Sequence, residues 1–423
     1  MQNRLMRRLL VLVLLCGVGA LVWLSLHLAA FRIYQVDECT ETYVARILAT
    51  KQAGTHSPGH VTLFQILLST VLHGSSPSAD LLTSGRFLML EIFWLNWVLI
   101  ALATREKLFS LRGLAALLGA ATLAPLWDYG FEIRHDNLLL TGLLLMWCLI
   151  RLRPVGFQSS FLMGALAAGM QFVAFKAFVY TVPLSLAIFV FPPPRLKSMR
   201  WKLAVAWVGG ALGMFLTIRL ALGVAGLWDL YVSGSQFLGA VSGGGRRFGP
   251  GKTLGRLLGQ TPLLLALLMA ALVTTILELR RRSKAALTWE GNLPEASLFV
   301  VALAALLVNP APFPYNLLFL VPFAFMFAFR YAVSVLPEVQ RHPTFALLAV
   351  AVLLFSHLVP FGIATKRHLS WPNSRQNRLM AFAESLTEPA KDQVFDGAFL
   401  VVARPVDSQW FIHKFQYPAP DWW

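Results

Sequence analysis

Charged residues in this chain fall mostly between long apolar runs and seldom inside them. A helix that crosses a bilayer needs roughly 20 apolar residues at about 1.5 Å each. By that measure the runs predict eleven spans: 9–31, 86–104, 111–127, 136–151, 157–172, 177–191, 203–222, 261–278, 295–309, 316–332 and 344–361. Residues 9–31 lack the small-residue cleavage site of a signal peptide, and more spans follow, so this helix is expected to be retained. The stretch 157–191 is read as a hairpin turning near Lys176, because basic clusters flank both of its ends. Val61 to Leu72 is apolar but only about 18 Å long as a helix, which suits an interfacial segment. The expected fold is an all-α polytopic membrane protein. Its transmembrane part, 1–361, has a first outer loop at 32–85 and a Gly/Arg-rich outer loop at 223–260. A small extracytoplasmic tail, 362–423, is expected to hold a helix near Gln376–Leu386 and a strand near Ala398–Ala403. No internal repeat is visible, which argues against a transporter built from two similar halves.

Composition agrees with the pattern. Of 423 residues 57% are apolar and 13% charged, with a mean hydropathy of +0.64, whereas soluble domains carry about 25% charge. The net charge of +16 would suit nucleic acid, but its placement excludes that partner. Basic residues cluster in alternate short connections (Arg4, Arg7, Arg8; Arg105, Lys107, Arg112; Arg151, Arg153; Arg195, Lys197, Arg200, Lys202; Arg280, Arg281, Arg282, Lys284), as the positive-inside rule requires. The N-terminus is then cytoplasmic. The opposite short connections, near 127–135, 172–177 and 309–315, hold only Arg134 and Lys176, whereas the long outer segments are basic too, with phosphate groups as the expected counter-charge. The three cysteines, Cys16, Cys39 and Cys148, suggest no disulfide framework.

The candidate chemistry gathers in the outer connections. Val36 to His60 carries Asp37 and Glu38 side by side where the chain has just left the first span, ahead of an amphipathic helix with Val44, Ile47 and Leu48 on one face. An acid there is either functional or a helix cap. Phe131 to Asn137 holds Arg134 and Asp136 before a Leu run, suited to a phosphate or to capping and headgroup contact. Lys176 interrupts a long apolar stretch and calls for an anionic partner or water. Arg246 and Arg247 beside three glycines offer guanidinium and backbone N–H groups to a phosphate, or to lipid headgroups. His56 and His60 flank Ser57-Pro58-Gly59, where a helical metal pair is disfavoured and a single phosphate or sugar contact is the better expectation.

These pieces, in this order, resemble the GT-C membrane glycosyltransferases, closest to the branch of aminoarabinose transferases and protein O-mannosyltransferases. The resemblance rests on the acidic pair after the first span, the Pro-containing turn, Ser84-Gly85-Arg86-Phe87, Arg134-x-Asp136, and Ala174-Phe175-Lys176-Ala177-Phe178 with Pro183. It covers about residues 30–190. It implies a GT-C-like bundle and transfer of a sugar from a polyprenyl-phosphate donor to a lipid, glycan or protein acceptor. The implied location is the periplasmic face of a bacterial inner membrane. It makes Asp37 the base that activates the acceptor, and puts Arg134, Asp136 and Lys176 in the donor-phosphate region. A phosphate-contacting lysine of the family is missing here, and His56, His60 or the loop of Arg246 and Arg247 are its expected substitutes. Glu38, Asp136 and His56 are candidates for a divalent metal or for supporting the site. Two departures stand out: the family's Lys-Pro-Pro is Ser57-Pro58-Gly59 here, and its Thr-Lys-Gly is Phe175-Lys176-Ala177. The competing expectation is a transporter or flippase of lipid-linked sugars, which would set polar residues along its spans.

Overall fold

The computed structural model describes residues 2–50, 61–73, 76–152, 156–174, 176–190, 199–233, 250–280, 293–308, 313–341, 343–388, 392 and 400–404. Among these residues the regular structure is helical, with one isolated bridge between Arg32 and Pro372 and no strand. In chain order the helices are α1 (Gln2–Phe31), α2 (Val36–Ala49), α3 (Leu63–Ser69), α4 (Ser78–Ala103), α5 (Leu111–Ala121) and α6 (Ala124–Tyr129). Next come α7 (His135–Leu152), α8 (Phe157–Val173), α9 (Ala177–Val190), α10 (Arg200–Val224) and α11 (Gly251–Gln260). The last five are α12 (Pro262–Arg280), α13 (Leu293–Val308), α14 (Leu317–Gln340), α15 (Pro343–Leu369) and α16 (Ser374–Ser385).

Among the described residues five helices are long and apolar enough to cross a membrane, and a sixth span arises if α11 and α12, bent by 96°, count as one. The chain is therefore an all-α, multi-pass membrane protein. The eleven expected stretches all lie mainly in helices, but Leu111–Ala121, Ala177–Leu186 and Pro294–Val308 are shorter. An 11-residue helix such as α5 reaches about 16 Å, roughly half of a hydrocarbon core. The expected third span, 111–127, is broken. Thr122 turns its hydroxyl back onto the Leu118 carbonyl, and α6 begins anew at Ala124 with Pro125 in its first turn, since proline suits a first turn and not a helix interior. In the tail, α16 covers most of the expected helix. Of the expected strand near Ala398–Ala403, 398 and 399 lie outside the described residues, and the rest holds a turn at 402–403 and no strand. α8 and α9 separate at 174–176 and pack on each other, Gln171 Nε2 donating to Thr181 Oγ1 at 3.0 Å.

Helices α8 and α10 pack backbone to backbone. A Cβ on Gly164 would stand 1.9 Å from the Trp207 carbonyl oxygen, and one on Gly210 1.9 Å from that of Phe161, so glycine on both sides lets the backbones touch. An aromatic cluster of Phe93, Trp97, Trp127 and Phe131, with ring centroids 4.6 to 6.3 Å apart, fills the space between α4, α6 and the 130–134 turn.

The end of the bundle that carries α2 and α3 is organised around one buried ion pair. Arg86, in α4, gives Nε to Glu38 Oε1 and Nη2 to Glu38 Oε2, both at 2.7 Å. Its remaining N–H groups go to the carbonyls of Ala29, Arg32 and Ile33, where α1 runs out. Glu38 also accepts the Gln35 N–H at 2.8 Å and the Ile133 N–H at 3.3 Å. Burial by itself would raise the Glu38 carboxyl; the adjacent Arg86 guanidinium holds it below the usual carboxylate range. One pair thus ties α1, α2, α4 and the 130–134 turn together.

α2 departs from its expected setting. Its polar residues Glu41 and Arg46 are buried along with Val44 and Ile47, so the helix is wrapped by its neighbours instead of lying with a wet face. At the opposite end, about 24 Å further along α7, Arg151 and Arg330 both bind Glu295, joining α7, α13 and α14.

Removing one partner of a fully buried pair leaves an uncompensated charge, which costs about 3–5 kcal/mol. Arg86→Met should therefore lower stability by that order. Thermal unfolding of the purified protein in detergent reads the effect, and a shift of under about 1 kcal/mol would show that the pair carries little.

Candidate functional site

Just outside the Glu38–Arg86 pair lies a chain of alternating charges. Arg134 Nη1 binds Asp37 Oδ2, while its Nε and Nη2 reach Asp136 Oδ2 at 3.2 and 3.1 Å. The other Asp136 oxygen takes Lys176 Nζ. Tyr315, in the 3₁₀ turn Pro314–Asn316, lies beneath both cations: its ring centroid is 4.0 Å from Arg134 Cζ and 4.8 Å from Lys176 Nζ. The Asp37 side chain is 58% exposed, Lys176 24%, Arg134 9%, and Asp136 fully buried. The chain of charges therefore runs from a wet carboxylate to a dry one.

Local folding explains why these groups meet. Phe131 and Ile133 are buried, and Asn137 Nδ2 donates to the carbonyls of Tyr129 and Glu132 at 3.0 and 2.8 Å, stapling the turn before α7. Glu132 points inward to Arg32. Arg134 and His135 are then presented to α2, whose Asp37 and Glu41 stand one turn apart on one face. Asp37 takes Arg134, and Glu41 Oε1 takes His135 Nδ1 at 2.9 Å. Gly85 permits the approach of the turn to α4, because a Cβ there would fall 2.7 Å from Ile133 Cδ1.

The electrostatics follow from this geometry. Burial works against the Arg134 charge, yet Asp136 and Asp37 together hold its pKa above the usual arginine value. Lys176 goes the other way: burial pulls its ammonium below the ordinary lysine value although Asp136 opposes the shift.

A second cluster adjoins the first through α6. Asp128 accepts from Gln260 Nε2 at 2.6 Å and His368 Nε2 at 2.8 Å, and also binds Arg367. Arg256, in α11, meets Tyr129 and stands 3.8 Å from Asp128. Burial would raise the Asp128 carboxyl, but His368 and Arg367 hold it below the normal range, while burial lifts the Tyr129 phenol to about 12.

The structure thus brings Asp37, Arg134, Asp136 and Lys176 together, although they are up to 139 residues apart in the chain (176 − 37). Glu38, expected as a metal or supporting group, faces away into its pair with Arg86. It is also Glu38, and not Asp37, that accepts the Gln35 N–H at the start of α2. Glu38 and Asp136 do not, among the described residues, converge with a histidine on one ion site. Among the described residues no three His, Cys, Asp or Glu side chains form a metal-holding group. Both aspartates are already matched with cations, so the donor set does not suit a divalent metal. His56, His60, Arg246 and Arg247 lie outside the described residues.

Sequence reasoning missed Glu41, His135, Tyr315 and the Asp128 cluster. Glu41 had a signal, its i, i+4 spacing from Asp37; Tyr315, in a proline-rich turn, had none.

Asp136→Asn would leave Arg134 and Lys176 facing each other without their shared carboxylate, and should cost about 3 kcal/mol. Asp37→Asn, at an exposed position, should cost less than about 1 kcal/mol. Unfolding in detergent compares the two, and equal losses would contradict the wet-to-dry ordering of the site. No family model and no curated protein matches this chain, so its geometry carries the functional reading.

Proposed function

We propose that this chain is a glycosyltransferase of GT-C layout, with eleven spans, that moves a sugar from a polyprenyl-phosphate donor to an acceptor at the outer membrane–water boundary. The observation that carries the reading is the exposed Asp37 carboxylate joined through Arg134 to the Asp136–Lys176 pair. A base beside a cationic cradle is what displacement at an anomeric carbon requires when a phosphate departs.

The donor's lipid tail stays in the bilayer while its phosphate stands at the surface. Such a phosphate competes with Asp37 for Arg134, because a guanidinium binds phosphate as readily as carboxylate. Its arrival frees the carboxylate to take the acceptor's proton. The acceptor oxygen or nitrogen then bonds to the anomeric carbon, the carbon–oxygen bond to phosphate breaks, and Arg134 and Lys176 stabilise the charge left on the phosphate. Attack opposite the leaving group inverts the carbon. No carboxylate is needed as a covalent nucleophile, and no step passes through a metal.

By the positive-inside rule the end of α1 that carries Arg7 and Arg8 is cytoplasmic. The site at its other end is then periplasmic in a bacterial inner membrane. The 96° bend between α11 and α12 suits a helix lying along that surface and bringing Arg256 to Tyr129.

The test is transfer of labelled sugar from a polyprenyl-phosphate donor by the purified protein in detergent. Wild type should form product. Asp37→Asn should lose on the order of 10²-fold or more in rate while keeping its unfolding temperature and binding the donor at least as tightly, since Arg134 no longer has to release a carboxylate, and wild-type turnover in that variant would exclude the base role. Movement of the lipid-linked sugar in sealed vesicles, with no product in detergent, would favour a flippase and overturn the transferase.

A further inference from the structure

His135 lies in the site but has no part in the reaction just described. It is the first residue of α7, its side chain is 27% exposed, and both ring nitrogens face carboxylates. Nδ1 is 2.9 Å from Glu41 Oε1, and Nε2 is 3.7 Å from Asp136 Oδ1, the oxygen that also holds Lys176 Nζ. The ring is held in place. Gln65 Nε2 donates to the other Glu41 oxygen, leaving Oε1 to the histidine, and the Phe64 ring packs edge-on at 6.5 Å. Gln65 is itself fixed by the Thr62 backbone N–H at 2.6 Å.

The charged groups around this ring come from three elements. α2 supplies Glu41 and Asp37, the α8–α9 turn supplies Lys176, and Arg134 and Asp136 flank it in sequence. α3 contributes only the neutral Phe64 and Gln65. Three carboxylates therefore stand against two cations, an unfavourable balance for a site that must accept an anion. An imidazolium corrects that balance: Nδ1 is held at hydrogen-bond distance by Glu41, while Nε2, 3.7 Å from Asp136 Oδ1, is beyond hydrogen-bond reach of that oxygen and can donate to an incoming anion.

We propose that His135 is a phosphate-linked proton carrier. It takes up a proton when the donor's phosphate enters, completes the cradle with Arg134 and Lys176, and hands its Nε2 proton to the departing phosphate. This rests on the transferase reading and assigns the leaving-group half of the reaction. The carbon–oxygen bond to phosphate breaks with its electron pair on the phosphate oxygen, which receives the Nε2 proton, and His135 is left neutral. At the same time the acceptor's proton passes to Asp37. One proton is given up and one taken within the site, and exchange with water restores both groups. Glu41 is a positioning residue: it fixes the ring so that Nε2, and not Nδ1, faces the phosphate.

The test is calorimetry of the full-length protein in detergent with farnesyl phosphate as the probe, repeated in buffers of different ionisation heat to count protons taken up. Wild type should take up a measurable fraction of a proton on binding. His135→Gln should take up none and bind roughly tenfold more weakly. His135→Lys, which keeps a cation that does not titrate in this range, should recover the affinity without the uptake, and Glu41→Gln should reduce the uptake. Unchanged uptake in His135→Gln, or no binding of the probe to wild type, overturns the proposal. Proton-linked binding without sugar transfer would uphold the phosphate-linked uptake by His135 and sink the transferase together with the hand-off to a leaving group; transfer with binding indifferent to His135 would uphold the transferase and sink the uptake.

Discussion

The bidentate pair of Glu38 and Arg86 is the constraint on which the α2 end of the bundle depends. An arginine buried in an apolar helix is tolerated only if all of its donors are met. Here they are met by one carboxylate and by the carbonyls left open where α1 ends. That requirement sets where α1 stops, how α2 approaches α4, and where the 130–134 turn docks, since Glu38 also holds the Ile133 amide. Replacing the pair by apolar residues could preserve stability, as buried pairs are seldom the most stable solution. It would lose the directionality that aims four separate segments at one another.

The candidate site follows from that directionality by elementary helix geometry. Consecutive residues on a helix point about 100° apart, so burying Glu38 turns its neighbour Asp37 outward. One turn further on, Glu41 shares the face of Asp37. The stapled turn before α7 presents Arg134 and His135 in the matching order, and Asp136 closes the set against Lys176. Each acid on this surface has a basic partner, and each basic group is close enough to an acid to be drawn off by a competing anion. That property is what a site for a phosphate-bearing lipid needs, and it underlies the proposed transfer chemistry.

The neighbouring Asp128 cluster extends the same logic. Arg256, Arg367 and His368 come from α11 and α15, which follow the 130–134 turn by more than a hundred residues, and they converge on one carboxylate at the end of α6. The two clusters are joined through the aromatic core beneath them, Trp127 and Phe131 lying between the helices that carry each. Rigid aromatic packing under a charged rim holds the rim's spacing, because such cores leave few alternative rotamers.

The amino-acid pattern by itself determined the helical membrane class. Apolar run length depends only on local composition, and the expected spans put Asp37, Arg134, Asp136 and Lys176 in connections at one end, where the structure brings them into contact. It could not divide the labour between Asp37 and Glu38, because adjacent acids look alike until an arginine from another helix claims one of them. It read 111–127 as one span because hydropathy does not register the Thr122 and Pro125 break, and it gave α2 a solvent face because periodicity does not say what covers a helix. The partnership of Glu41 with His135, and the seat of Tyr315 under both cations, exist only in three dimensions: each is a contact between distant segments, decided by the burial of charge and not by any local preference of the chain.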